Sequence, residues 1–254
     1  MRIDLNCDIG ESYGAYRIGC DDEMIAIASS VNIACGFHGG DPDVMAVTVE
    51  RALQSGAAIG AHPGFPDLAG FGRREMRLQP SEVTNLIIYQ IGALQAFVQA
   101  AGGRLHHVKP HGALYNMAAV DDELAAAVAL AVKRVDPKLV LYALTGSRLV
   151  ETARRLGLTV AREAFVDRAY RADGTLAPRN LSGAVITDPV TAGARAVTMV
   201  KTGCIPSIDG DPIRIDADTL CLHGDNPAAA AIAKAVRASL ETAGIAVKAG
   251  FGTT

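Results

Sequence analysis

The sequence predicts an α/β protein folded as a (β/α) barrel, in one domain that spans residues 1–254. Short β-branched or apolar runs alternate with Ala-rich helical stretches almost to the end of the chain, which is typical of parallel βαβ units. A length of 254 residues suits a barrel built as one unit, and no linker, internal repeat or low-complexity tract interrupts the alternation.

Apolar segments with the length and composition of buried strands recur along the chain. They cover residues 3–7, 31–34, 57–61, 105–109, 139–143, 159–162 and 220–223. Longer segments with helical composition follow them, at residues 43–54, 81–101, 121–135, 147–155, 190–201 and 227–243. Asp41, Asp188 and Asn226 each precede a proline and are expected to cap a helix N-terminus.

Composition and charge exclude several classes of function. The net charge of −3 is not gathered into a basic stripe, so we expect no nucleic-acid partner. No apolar stretch approaches the roughly 18 residues that span a bilayer, and no signal sequence is recognisable, so we expect no membrane association and a cytoplasmic location. Five cysteines without a C-x-x-C pair favour reduced thiols.

Ionisable and amide side chains are concentrated where the predicted strands end, and glycines flank many of them. In a parallel barrel these strand ends meet at one mouth, where the loops build the active site. The sequence therefore predicts a single polar site. Its candidate residues are Asn6, Asp8, Glu11, His38, Asp41, His62, Asp67, Lys109, His111, Glu163, Asp167, Arg168, His223 and Asp225.

Two roles are open for the histidines of this set. Asp8, His38 and His62 would suit a divalent metal with free positions for water and substrate, although no compact motif such as H-E-x-x-H supports it. The competing role is to position a substrate or to move protons. The chain has no P-loop and no G-x-G-x-x-G after a strand, so ATP would need a non-standard site or one completed by another chain.

Cysteines near the same strand ends could act as nucleophiles. If Asp8 points into the barrel, strand alternation turns Cys7 outward. We interpret Cys7, Cys35 and Cys221 as small buried packing residues. Residues 170–183 are the least regular stretch, and they could form either a lid over the site or an ordinary loop.

Six sequence blocks resemble the LamB/YcsF family, and the likeness covers essentially the whole chain. The blocks read IDLNCDIGE at 3–11, NIACGFHGGDP at 32–42, GAHPGFPDLAGFGR at 60–73, HVKPHGALYNM at 107–117, AREAFVDRAY at 161–170 and CLHGD at 221–225. Each block is rich in uncommon residues, so chance is a poor explanation. The departures from the family pattern, such as Gly39 in place of alanine, remove no ionisable group.

The resemblance implies a distorted seven-stranded barrel similar to those of glycoside hydrolases and carbohydrate deacetylases, in agreement with the predicted strands. It also implies the A subunit of an ATP-dependent 5-oxoprolinase, which works with B and C subunits to open the lactam of 5-oxo-L-proline to L-glutamate. The alternative is a stand-alone, metal-dependent hydrolase of amides or carbohydrates, similar to the deacetylases. The sequence leaves formation of a homo-oligomer open.

Within that activity we divide the candidates into two groups. The predicted catalytic residues are Asp8, His38, His62, Lys109, His111 and Glu163. The predicted substrate-binding residues are Asn6, Glu11, Asp41, Asp167, Arg168, His223 and Asp225. Asp8 or Glu163 would be the general base, and Lys109 and Arg168 would hold a carboxylate or phosphate. Replacing Asp8 with Asn, or Lys109 with Ala, is expected to abolish activity and to leave the fold intact.

Overall fold

The computed structural model of the chain describes residues 1–223 and 228–250, with the backbone alone at His223. In these ranges the strands are β1 (Arg2–Ile9), β2 (Ser30–Ala34), β3 (Ala58–His62), β4 (His107–Val108), β5 (Val140–Leu144), β6 (Val160–Phe165), β7 (Cys204–Pro206), β8 (Pro212–Arg214), β9 (Thr219–His223) and β10 (Ala246–Val247). The helices are α1 (Asp21–Ile25), α2 (Pro42–Ser55), α3 (Pro80–Ala100), α4 (Gly112–Ala118), α5 (Asp122–Val135), α6 (Arg148–Arg155), α7 (Pro189–Thr202) and α8 (Ala229–Thr242).

Seven parallel strands, β1 to β6 and β9, close into a barrel. Neighbours in the barrel follow chain order from β1 to β6, and β9 then pairs with both β6 and β1. The closing register sets Asn6 opposite Cys221 and Asp8 opposite His223. This arrangement confirms the predicted seven-stranded (β/α) barrel, and each predicted strand corresponds to one of the barrel strands.

Some elements were not predicted. The short helices α1 and α4 lie in stretches for which no element was predicted, and α4 begins directly after the predicted site residue His111. Between α7 and β9 the chain also forms an antiparallel hairpin of β7 and β8, outside the barrel. The C-terminal β10 pairs in parallel with the start of β1.

Two predicted helix starts are confirmed by their capping bonds. The Asp41 carboxylate accepts the backbone N–H groups of Asp43 and Val44 at the start of α2, and Asp188 caps α7 in the same way. The third predicted cap, Asn226, lies outside the described residues. Among the helices of the described ranges, none combines the length and hydropathy needed to cross a membrane.

Alternation along β1 separates an apolar exterior from a polar interior. Leu5 and Cys7 belong to the hydrophobic core, whereas Asp4 and Asn6 form hydrogen bonds with side chains of other barrel strands. Asp4 has 1% of its surface exposed, and its carboxylate accepts hydroxyl groups from β2, β5 and β9. Barrel interiors are usually filled by branched apolar side chains, so this one has an unusually polar centre.

Candidate active site at the barrel mouth

A cavity of about 560 Å³ opens at the carboxyl ends of the barrel strands. Its buried lining includes Asp8, His62 and Lys109, which come from the ends of β1, β3 and β4. Arginines also line the cavity, and they are Arg73, Arg168, Arg171 and Arg179. The mouth therefore combines a buried ionisable floor with a wall that is rich in positive charge.

Asp8 and Lys109, which line this cavity, form a buried triad of charges with Glu163. The Lys109 ammonium lies 2.9 Å from Asp8 Oδ1 and 3.0 Å from Glu163 Oε1. Lys109 is 2% exposed and Glu163 is fully buried, so water contributes little to their solvation. A buried charge is costly in such surroundings unless partners of opposite charge and hydrogen bonds are held close to it.

The protonation of Lys109 follows from its neighbours. Burial alone would lower the pKa of Lys109, but the carboxylates of Asp8 and Glu163 outweigh that effect and raise the pKa well above its usual value. Lys109 is therefore a fixed positive charge at neutral pH. It can hold an anion or balance negative charge that develops on a substrate, and it cannot serve as a base.

Two residues that the sequence reasoning missed hold this triad in position. The amide of Asn32 donates to Asp8 Oδ1 at 2.8 Å, and the Tyr115 hydroxyl donates to Glu163 Oε2 at 2.7 Å. Asn6, predicted to bind substrate, instead donates to Glu163 Oε1 at 3.0 Å inside the barrel. The pairing of β1 with β2 places Asn32 beside Asp8. A prediction of this strand register would have identified Asn32.

Asp8 and Glu163 differ in what they can do. Glu163 has no exposed surface and accepts hydrogen bonds from Asn6 and Tyr115 as well as the Lys109 contact. Asp8 lines the cavity, and its Oδ2 lies 3.3 Å from His62 Nε2. A general base must reach the proton that it removes, so the geometry favours Asp8 over Glu163.

The cysteine prediction holds for all three residues, which are buried in the hydrophobic core. Cys7 and Cys35 lie in the hydrophobic core, and burial raises the pKa of Cys35 to about 12. Cys221 is more than a packing residue, because it faces the barrel interior, where its sulfur lies 3.0 Å from the Lys109 ammonium. Burial raises the pKa of the Cys221 thiol well above its usual value, so Cys221 is a neutral partner of Lys109 and a poor nucleophile.

Beside the triad, three histidines and a glutamate form a second buried cluster. The rings of His38 and His111 stack in parallel, with centroids 3.6 Å apart, and His62 meets both rings edge-on. Glu11 Oε1 lies 3.3 Å from His38 Nε2 and 3.6 Å from His111 Nδ1. Burial, and then the neighbouring histidines, lower the pKa of His38 and of His111 well below the usual value, so both rings are neutral at pH 7.

This cluster differs from the predicted set of metal ligands. The donor atoms that lie within 4.8 Å of one another belong to Glu11, His38, His62 and His111. Asp8 borders the cluster through His62, but its Oδ1 is engaged by Lys109 and Asn32. Glu11, predicted to bind substrate, and His111 belong to this group, and the predicted set of Asp8, His38 and His62 stays a prediction. The cluster could hold a metal ion.

Of the remaining predicted residues, some line the cavity and others have structural roles elsewhere. Arg168 lines the cavity, where burial, followed by the nearby Arg179, lowers its pKa to about 10, so it stays charged at neutral pH. Asp167 is buried next to it in sequence. Asp41 is engaged elsewhere: it caps α2 and also accepts the N–H of Gly14.

The irregular stretch and the last three predicted residues remain to be placed. Residues 171 and 175–179 line the cavity, so the irregular stretch 170–183 forms part of its wall. Asp67 caps the turn at Leu68–Gly70 and forms an ion pair with Arg74. The side chain of His223 and all of Asp225 lie outside the described residues, so their predicted roles in substrate binding stay predictions.

Comparison with known proteins identifies the family. Residues 3–253 match the model of the LamB/YcsF family. The A subunit of 5-oxoprolinase from Heliobacterium modesticaldum is 92% identical over 254 residues, which is 100% of both chains. Its counterpart from Bordetella pertussis is 54% identical over 247 residues, or 97% of this chain and 98% of the relative.

A solved structure agrees in fold as well as in sequence. The crystal structure of a lactam utilization protein from Thermus thermophilus superposes with a TM-score of 0.94 at 54% identity. The alignment covers 98% of this chain and 100% of that one. The family predicted from the sequence blocks is thus confirmed over the whole length, and the chain belongs to the LamB/YcsF family.

Proposed function

We propose that this chain is the A subunit of an ATP-dependent 5-oxoprolinase and that the lactam ring is opened at its barrel mouth. The observation that carries the proposal is the Asp8–Lys109 pair, a carboxylate and a fixed positive charge that line one cavity 2.9 Å apart. The relatives are named as the A subunit of 5-oxoprolinase and as a lactam utilization protein, and these names support the choice of substrate.

The cavity offers 5-oxoproline a matching set of charges. The substrate carries a carboxylate, and an arginine can bind a carboxylate or a phosphate through two parallel hydrogen bonds. Arg168 lines the cavity together with three further arginines, so an anionic group is favoured there. The lactam carbonyl would then lie towards Lys109, where developing negative charge is balanced.

The chemistry explains the need for ATP. A five-membered lactam is an unactivated amide, so we assign transfer of the terminal phosphoryl group of ATP to the lactam oxygen. Water then adds to the activated carbon and gives its proton to Asp8. The ring C–N bond breaks and its nitrogen takes a proton, which yields a γ-glutamyl phosphate. A second water hydrolyses this acyl phosphate to glutamate and inorganic phosphate.

The partner subunits complete this scheme. The chain has neither a P-loop nor a G-x-G-x-x-G motif after a strand, so we assign the ATP site to the complex with B and C subunits. The relatives are named as one subunit of an enzyme, which supports the requirement for partners. In this scheme Asn6, Tyr115 and Glu163 are positioning residues that orient Lys109.

Reconstitution tests the proposal. The purified chain is mixed with the B and C subunits, ATP and 5-oxoproline, and glutamate is measured with each component omitted in turn. We expect glutamate only when all components are present. Glutamate formed without this chain would overturn the proposal, and ATP-independent amide or carbohydrate hydrolysis by the chain alone would instead support the stand-alone hydrolase.

A further inference from the structure

We propose that Glu11, His38, His62 and His111 form a binding site for one divalent transition-metal ion of the zinc type. The inference goes beyond the proposed function, because it concerns ion binding by the chain alone. It rests on the directions of the ring nitrogens, on the buried nitrogens of His38 and on the spacing of the donor atoms.

The hydrogen bonds of two histidines fix which nitrogen of each ring carries the hydrogen. His62 Nδ1 lies 2.7 Å from the carbonyl oxygen of Lys109, and His111 Nε2 lies 2.8 Å from that of Phe71. A carbonyl oxygen only accepts, so both of these nitrogens are N–H donors. The remaining nitrogens, His62 Nε2 and His111 Nδ1, are therefore the ones through which each ring would bind a metal ion.

These two nitrogens face each other. His62 Nε2 and His111 Nδ1 are 3.0 Å apart, so a proton or a metal ion must lie between them. A metal ion satisfies both nitrogens at once. Metal-binding histidines typically donate their other N–H to a backbone carbonyl or a carboxylate, and both rings already do so.

His38 gives an independent indication. It is fully buried, and neither of its ring nitrogens has a hydrogen-bond partner among the side chains and backbone that the structure describes. Leaving a buried polar group without a hydrogen-bond partner is costly, so a bound ion would explain why His38 is buried here. Its Nε2 lies 3.3 Å from Glu11 Oε1, where both atoms could bind the same ion.

Three separations among the donor atoms are close to those of a tetrahedral metal site, and all the donor atoms lie within 4.8 Å of one another. Bonds of 2.0–2.1 Å to zinc place neighbouring ligand atoms about 3.3 Å apart in a tetrahedron. The observed separations are 3.0 Å between His62 and His111, 3.3 Å between His38 and Glu11, and 3.6 Å between His111 and Glu11. Imidazole nitrogens with one carboxylate form a donor set that suits zinc.

The backbone around the cluster is shaped to the rings. A Cβ at Gly64 would lie 2.8 Å from His38 Nδ1, and a Cβ at Gly72 would lie 2.7 Å from His38 Cβ and 2.8 Å from His111 Cδ2. Only glycine fits these approaches, so the rings are locked in place. An ion at this point of the cavity could polarise a carbonyl oxygen or lower the pKa of water.

Titration of the purified chain with cobalt and zinc tests the site without any assay of activity. The chain is dialysed against a chelator, and Co²⁺ is added at pH 7 while visible absorption is recorded. We expect one Co²⁺ per chain with the absorption of a four- or five-coordinate ion, displaced by one equivalent of Zn²⁺. Absence of Co²⁺ and Zn²⁺ binding by the wild-type chain would overturn the proposal.

Variants locate the ion. Losing a group behind a metal ligand costs about 10–100-fold in affinity, so His111→Gln and Glu11→Gln are each expected to weaken Co²⁺ binding by more than about 100-fold. His106→Gln is the matched control, because His106 is a partly exposed histidine outside the donor set. Equal affinity in the control and in Glu11→Gln, whose shape is conserved, would contradict the assignment.

Discussion

At the scale of single residues, burial decides which side chains can be replaced. Lys109 lies between two buried carboxylates, and removing it would leave Asp8 and Glu163 as uncompensated charges. The expectation that Lys109→Ala leaves the fold intact therefore needs revision. A buried ion pair that loses one partner costs about 3–5 kcal/mol.

Substitution of Lys109 should therefore reduce stability as well as activity. We predict that Lys109→Met lowers the free energy of unfolding by about 3–5 kcal/mol and that adding Glu163→Gln recovers part of this loss. Urea unfolding at pH 7 measures both variants. A Lys109→Met protein as stable as the wild type would show that the triad contributes no structural constraint.

The ion pairs of Lys109 with Asp8 and Glu163 also predict how its contribution to stability depends on pH. The pKa of Lys109 is raised in the folded protein, so its stabilising contribution is complete below the unfolded pKa of about 10.4. That contribution would be lost only as the pH rises through the folded value. Titration of Lys109 should therefore add no pH dependence to the free energy of unfolding of the wild type between about pH 6 and 9, as urea unfolding at several pH values measures.

The sequence identified many site residues because strand ends in a parallel barrel meet at one mouth. It could not assign partners, since those depend on side-chain direction after closure. Asn6, for example, contacts Thr219, 213 positions away in the chain. The grouping of Glu11 with the three histidines, and the contact of Cys221 with Lys109, depend on such directions.

At the scale of elements, helix starts were predictable where a capping residue precedes proline. Asp41 and Asp188 cap α2 and α7 as expected. The helix α4 was missed because it begins with a glycine at φ 56° and has no capping side chain. The β7–β8 hairpin has only three residues in each strand, too few for a periodic pattern.

Substitutions of Asp41 can distinguish its role as the cap of α2 from its predicted role in substrate binding. Its carboxylate accepts N–H groups from Val44, Gly14 and Asp43, so we expect Asp41→Ala to lower the free energy of unfolding by about 1 kcal/mol. Asn also caps helices well, so Asp41→Asn should retain most of the stability. Unchanged stability with a raised KM for 5-oxoproline in the reconstituted complex would restore the substrate-binding role.

At the scale of the whole molecule, alternation of strands and helices sufficed to predict the barrel, because parallel βαβ units have few ways to pack. It did not predict the polar centre, since the apolar runs of the strands are dominated by residues that face the helices. The assignment of residues 1–254 to one domain stays a prediction. The central claim is that the convergence of separate strands at the mouth creates the site of ring opening.

Asp8→Asn tests this claim most directly, because it removes the base and keeps the shape of the side chain. The measurement is the rate of glutamate formation by the reconstituted complex, with Asp188→Asn at the cap of α7 as the matched control. We predict a loss of at least about 100-fold for Asp8→Asn and none for the control. A near-normal rate for Asp8→Asn would contradict the account.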